Sequence, residues 1–157
     1  ADLPPIAALD WRKDTPSPPK KTSRLIIDAP AGVRGAPLEE LVKATDIVLV
    51  PVLPSPFDEA ATARFVKRLD ALKPVRKGKR AVGLIANRIR TRSRAAGRLE
   101  EFLKGLDHEA IARLRDASLY ADLALDGMSL FDARGRRAED LREDWRPLLA
   151  FVEQHAD

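Results

Sequence analysis

Apolar positions along this chain fall into two kinds of run. Leu25-Ile26-Ile27, Ile47-Val48-Leu49-Val50 and Ala81-Val82-Gly83-Leu84-Ile85-Ala86 are short and continuous, closed by Asp28, Pro51 and Asn87. Continuous runs of this length predict strands buried on both faces, as in a parallel sheet. Elsewhere the apolar residues recur at helical spacing. Pro37 to Lys43 predicts a short helix with Leu38, Leu41 and Val42 inward and Pro37 in its first turn. Asp58 is predicted to cap a helix that carries Ala61, Phe65, Leu69 and Leu72 on one face and ends at Pro74. A helix over 95–104 places Leu99, Phe102 and Leu103 inward, and one over 119–125 stops at Gly127. The last, over 138–155, aligns Leu141, Trp145, Leu148, Leu149 and Val152, with Pro147 kinking or restarting it. His108 to Asp116 fits either a short strand or a turn of helix.

Strand and helix in threefold alternation predict an α/β fold, a three-layer open, mainly parallel sheet with helices on both faces. Right-handed crossovers would line up Asp28, Pro51 and Asn87 along the carboxyl edge, where ligands of such sheets bind. Residues 1–23 differ in character. Pro4, Pro5, Pro16, Pro18 and Pro19, with Lys20 and Lys21, predict an extended connector, which assigns the α/β domain to 24–157.

Composition narrows the function classes. With 157 residues, 45% hydrophobic and 33% charged, the chain can bury a core and is not wholly disordered. The absence of cysteine excludes a disulfide framework, a thiolate metal site and a cysteine nucleophile. No apolar run approaches the roughly 18 residues of a membrane span, and no secretory pattern is present. His108 and His155 lack metal-ligand spacing. Glu139, Asp140, Glu143, Asp144 and Glu153 make the polar face of the last helix acidic, which excludes it as an anchor on anionic lipid.

The net charge of +4 and a pI near 9.6 are mild, so the location of the cations matters more than their number. Two clusters lack any intervening acid: Lys73, Arg76, Lys77, Lys79 and Arg80, and Arg88, Arg90, Arg92, Arg94 and Arg98. Cations without aromatic partners suit contact with a phosphate backbone rather than base reading. A solvated basic face is the alternative.

Candidate chemistry concentrates at Asp28 and Gly32. A strand that delivers an aspartate to a sheet edge is how P-loop NTPases hold Mg²⁺, and a following glycine brings a bare N–H beside a γ-phosphate. The same residues also suit a plain turn. Asn87 offers a donor and an acceptor that match an adenine edge, although asparagine is common after strands for conformational reasons.

Asp28-Ala-Pro-Ala-Gly32, then Thr45-Asp46-Ile-Val-Leu-Val-Pro51 with Pro54-Ser55-Pro56-Phe57-Asp58, then Leu84-Ile85-Ala86-Asn87-Arg88, follow one another along the chain. Ile111-Ala-Arg-Leu-Arg115-Asp-Ala-Ser-Leu-Tyr120 and Asp126-Gly127-Met-Ser129-Leu130 come after them. In this order the segments resemble the ParA/MinD family of deviant-Walker ATPases, its ParA-like partition proteins in particular, over roughly residues 24–153. The resemblance implies ATP and Mg²⁺ as cofactors. It casts Asp28 as the catalytic-site ligand to Mg²⁺ through water, Gly32 as a γ-phosphate contact, Pro51 as a loop former beside the nucleotide, and Asn87 with Arg88 at the base. It also implies a homodimer when ATP is bound, non-specific DNA contacted through Arg90, Arg92, Arg94 and Arg98, and a ParB-like activator. The setting it implies is a bacterial cytoplasm, at the nucleoid and without membrane attachment.

One departure is large. Nothing here has the Gly-x-x-x-x-Gly-Lys-[Ser/Thr] pattern or its Lys-Gly-Gly relative, which the family carries in a first strand–loop–helix unit. Such a unit takes about 30 residues and is expected upstream of Ala1, with this chain as the larger part of the ATPase. Without that loop the phosphates lose their cradle, so the chain alone is not expected to hydrolyse ATP. The competing readings are a non-enzymatic DNA-binding or assembly module on the same fold, and a metabolic relative such as a cobyrinic acid or dethiobiotin synthase. For the latter no distinct substrate-pocket residues are present.

Overall fold

The computed structural model describes residues 18–108 and 110–156, which divide at Val33 into two units, each taken by itself. The predicted connector over 1–23 lies, up to residue 17, outside the described residues. In the first unit, residues 18–33 form turns and irregular backbone without a strand. Leu25-Ile26-Ile27 is therefore not the strand its apolar character predicts, and Leu25 and Ile26 are 43% and 91% exposed. A strand exists only through ladder bonds to a neighbour, and among the described residues this run has none.

The second unit is built on a parallel sheet of three strands among the described residues, β1 (Ile47–Val52), β2 (Ala81–Ile89) and β3 (Ala110–Arg115), in the order β1-β2-β3. The fold is thus the open parallel α/β sheet with helices that the run pattern predicts, and the ambiguous stretch supplies the strand Ala110–Arg115. The helices are α1 (Ala36–Lys43), α2 (Pro56–Ala71), α3 (Lys73–Arg76), α4 (Arg94–Lys104), α5 (Ser118–Leu125), α6 (Arg136–Arg142) and α7 (Arg146–His155). A 3₁₀ turn, Glu143–Trp145, links the last two, and Pro147 opens α7 as a restart.

Central strand β2 is buried from Val82 to Ala86 without a break, so both of its faces are covered. Ile85 packs with Ile111, Leu114 and Leu148, against Trp145, Phe151 and Val152, and α7 lies over β2 and β3 on this side. Side chains alternate along a strand, which leaves Val82, Leu84 and Ala86 for the opposite side, where α2 and α4 pack on β1 and β2. Strand β1 is covered on one face only. Val50 and Val52 are buried while Leu49 and Pro51 are exposed, because α7 reaches β2 and β3. Proline is tolerated at Pro51 because β1 is an edge strand.

Two helix faces differ from those the hydrophobic pattern predicts. Helix α2 buries Glu59, Thr62, Val66 and Leu69, a clean helical stripe, while Ala61 is exposed. Two polar residues in the stripe conceal it from a hydrophobicity reading. Asp58 is not its cap: Ser55 holds the cap position, and Asp58 sits in the first turn, where a carboxylate favours the helix dipole. In α7, Leu149 is 45% exposed, because the 3₁₀ turn shifts the helical phase so that Leu148, Phe151 and Val152 face inward. Gly127 ends α5 as predicted, at φ 66°, with Met128 N–H donating to Leu123 O and Gly127 N–H to Ala124 O, a Schellman closure.

The β2–β3 register shifts twice, one extra residue falling first in β3 (Ile111) and then in β2 before Ile89. Beside the first shift, a Cβ on Gly83 would meet Ile111 Cδ1 at 2.6 Å and Phe151 Cε1 at 3.0 Å. Gly83 therefore permits the close approach of β3 and α7. Gly97, inside α4, has nothing within 4 Å of such a Cβ. Urea unfolding separates the two: Gly83→Val should cost about 1–3 kcal/mol through overpacking, whereas Gly97→Ala should add about 0.5–1 kcal/mol.

Candidate functional site

The three strands are parallel, so their carboxyl ends share one edge, and the loops Leu53–Ser55, Arg90–Ser93 and Asp116–Ala117 rise from it. Strand β1 ends level with Ala86, so Asn87, Arg88 and Ile89 project past it. This projection carries the second bulge. Arg88 adopts φ 54° and Arg92 φ 64°, a left-handed conformation that side chains with a Cβ adopt at a cost. The strain at Arg88 is offset locally: its N–H donates to Asn87 Oδ1 at 2.9 Å. Asn87 is half-buried, and its amide N–H groups have no partner among the described residues.

Asp116, one residue beyond β3, organises the exposed end of β2. Its Oδ1 accepts from Arg88 Nε at 3.4 Å and its Oδ2 from Arg90 Nε at 3.0 Å. The Arg90 hydrogen bond is the larger reason, and Arg88 the second, that the Asp116 carboxyl is held below the usual carboxylate range. Both guanidinium groups remain largely open to solvent, 67% and 80% exposed. The result is a pair of arginines aimed and held, yet accessible.

Arg98 is held differently. It donates to the buried carboxylate of Glu59 at 3.1 and 3.4 Å and to Pro54 O at 3.4 Å, which ties α4 to the β1–α2 loop. Losing that partner would leave Glu59 buried and uncompensated, at a cost of about 1–3 kcal/mol. Ser93 caps α4, its Oγ accepting from Ala96 N–H at 3.1 Å. Arg92 and Arg94 are exposed and without an ion-pair partner among the described residues.

Asn87, Arg88, Arg90 and Asp116 therefore stand together at the edge of the sheet, with Pro51 on the neighbouring strand, paired in register with Ile85. Asp28 and Gly32 belong to the first unit. Asp28 is exposed and does not end a strand, which corrects the expectation that a strand delivers it. Gly32, φ 75°, closes a turn in which Val33 N–H donates to Pro30 O at 3.3 Å, so the turn conformation that glycine serves is present.

Mg²⁺ takes hard oxygen ligands and keeps several waters, so one aspartate beside phosphate oxygens fits its chemistry. No group of three or more metal-ligating side chains exists among the described residues, so such an ion would draw its other ligands from phosphate and water. No helix among the described residues is long and apolar enough to cross a membrane.

Sequence reasoning missed Asp116 and Glu59. Asp116 follows a strand, as Asp28 is expected to, but Arg113 and Arg115 interrupt the apolar residues before it, and the ambiguity of 108–116 hid the strand. Glu59 carries no signal, since its partner Arg98 is 39 residues away.

Because Asp116 titrates below an unfolded aspartate, the pairing stabilises the fold above the unfolded value, about 3.9, and is lost as pH falls through the lowered one. The carboxyl should therefore stay ionised throughout the neutral range. Carboxyl-carbon NMR titration should place its midpoint below that of an unfolded peptide. Arg90→Gln should raise the midpoint more than Arg88→Gln does.

No family model matches the chain. It is similar to a protein of Halothiobacillus neapolitanus described as maintenance of carboxysome distribution protein A, 26% identical over 119 residues, which are 74% of this chain and 55% of that protein. The chain thus spans about half the length of the curated relative it matches.

Proposed function

We propose that this chain is the larger part of a ParA-like ATPase that positions a cargo. The observation that carries the reading is the likeness, over 119 residues, to a protein named for maintaining the distribution of carboxysomes, themselves a cargo to be placed. The sheet supports it chemically. Its carboxyl edge presents the free amide donors of Asn87 beside two accessible arginines, a set suited to a nucleotide's base and phosphates.

In this reading Asp28 holds Mg²⁺ through water, Gly32 offers its N–H to the γ-phosphate, Pro51 shapes the wall beside the nucleotide, and Asn87 hydrogen-bonds adenine with Arg88 near it. Mg²⁺ supplies charge neutralisation on the transferring phosphoryl group. ATP binding brings two copies together, and the dimer holds non-specific DNA until a ParB-like activator stimulates hydrolysis. Of the arginines expected at DNA, Arg92 and Arg94 stand open. Arg90 is shared with Asp116 and Arg98 is committed to Glu59.

The test compares this chain with the protein encoded by the gene's complete reading frame. The longer protein should bind fluorescent ATP with Mg²⁺ and hydrolyse it slowly, and this chain alone should not hydrolyse it. Asp28→Ala in the longer protein should lower turnover at least 100-fold, and Asn87→Ala should weaken ATP binding about 10-fold, by loss of one to two hydrogen bonds. A reading frame without a phosphate-binding loop, with no ATP bound, would sink the ATPase and favour a non-enzymatic module.

A further inference from the structure

One concentration of basic residues continues from helix α2 into the turn that follows it. Residues 60–80 contain eight lysines and arginines against one acid, Asp70, whereas the chain as a whole is only +4. The remainder is therefore net negative. Helix α2 buries Thr62, Val66 and Leu69, and its other side exposes Arg64, Lys67 and Arg68 at the three- and four-residue spacing of a single face. Lys73, Arg76 and Lys77 on and after α3 continue the exposed cations, with Lys79 beyond Gly78.

The length of the unpaired row sets this surface apart from several other arginines in the fold, although Arg92 and Arg94 are also unpaired among the described residues. Arg88 and Arg90 share Asp116, Arg98 has Glu59, Arg113 has Glu100 and Arg115 has Asp144. From Arg64 to Lys79 no exposed cation has an ion-pair partner among the described residues. The single acid is turned away, Asp70 Oδ1 lying 2.6 Å from His108 Nε2. Helix dipoles account for Arg68 in the last turn of α2 and the cations ending α3, but not for the whole row.

The scaffold beneath is firm. Val75 is buried, Gly78 N–H donates to Val75 O at 2.8 Å, Lys79 N–H donates to Pro74 O at 2.9 Å, and Arg80 donates to Lys43 O at 3.1 Å. Helix α2 leaves the carboxyl edge at Ser55 and travels about 24 Å before the chain re-enters the sheet at Ala81. The cations thus gather toward the amino edge, away from Asn87 and Arg90, and both surfaces can be occupied together.

We propose that the exposed face of the second half of α2 with the α3 turn docks the phosphate backbone of double-stranded DNA without reading its sequence. The inference rests on the DNA partner under Proposed function and assigns it a surface other than Arg90–Arg98. The chemistry favours duplex phosphate. No large hydrophobic side chain is exposed between residues 60 and 80, so the surface lacks both the wedge that enters lipid and the ring that stacks on a free base.

Fluorescence anisotropy with a labelled mixed-sequence duplex, as a function of salt, tests this on the protein encoded by the complete reading frame, with ATP and Mg²⁺ present. The triple changes Lys73→Ala, Arg76→Ala, Lys77→Ala and Arg64→Ala, Lys67→Ala, Arg68→Ala should each weaken binding roughly 10- to 100-fold. Each should also reduce the salt slope by about 2–3, at about 0.9 for every phosphate that is no longer neutralised. The single changes Lys77→Gln and Arg68→Gln, which preserve bulk, should each lower the slope by about one. Unchanged affinity and slope in both triples would overturn the assignment. If binding instead disappears with Arg90→Ala, Arg92→Ala, Arg94→Ala, the DNA partner stands and this surface falls. A wild-type complete-frame protein that, with ATP and Mg²⁺, ignores duplex at low salt sinks both. Tighter binding to phosphatidylserine vesicles than to duplex overturns the proposal in favour of a lipid surface.

Discussion

Everything in the second unit depends on β2 being buried from both sides. A strand with five consecutive buried residues needs a layer of helices on each face and a neighbour on each edge. β1 and β3 supply the edges, α2 and α4 one layer, and α7 the other. Gly83 is part of the same constraint, since the side chains of Ile111 and Phe151 converge on the space its missing Cβ leaves. Leu84 and Leu99, both wholly buried, each contribute roughly 1.5–3 kcal/mol to keeping the layers together.

The carboxy-terminal segment is locked onto this sheet by polar as well as apolar contacts. Asp144 accepts from the backbone N–H of Arg115 at 3.2 Å and from its Nε at 2.7 Å, at the end of β3. Trp145 packs against both apolar clusters and donates to Tyr120 Oη at 3.0 Å. Phe131 meets the same indole edge-on, with ring centroids 6.1 Å apart. One indole thus joins α5 and the loop after it to the layer that covers β2 and β3.

Charge is sorted by the fold into two kinds. At the carboxyl edge three arginines are paired with acids that aim them, Asp116 for Arg88 and Arg90 and Glu59 for Arg98, while Arg92 and Arg94 stand open among the described residues. Along α2 and α3 cations stand unpaired, among the described residues, over a rigid base. Paired arginines are suited to holding one ligand in one orientation, and an unpaired row to attracting a polyanion in any register. The parallel connection makes the separation inevitable, because a helix that follows a strand must carry the chain back to the opposite edge.

Continuous apolar runs with helical spacing between them determined the class, an open parallel sheet with helices, and two of the three expected strands, Ile47–Val50 and Ala81–Ala86, while the third strand came from 110–115 and not from Leu25–Ile27. Gly127 likewise announced a helix stop and Pro147 a kink or a restart, of which the structure has the restart. The two basic clusters were legible as composition, for the same reason that any local property is. What tertiary structure alone decided involves partners distant in the chain. Leu25–Ile27 has apolar character but no ladder, since pairing is not a property of the run itself. The buried stripe of α2 includes Glu59 and Thr62, and Glu59 is compensated by Arg98, 39 residues away. Which arginines are bound and which are free followed from where Asp116 and Glu59 came to rest, because an ion pair is defined by distance in space and not by spacing along the chain.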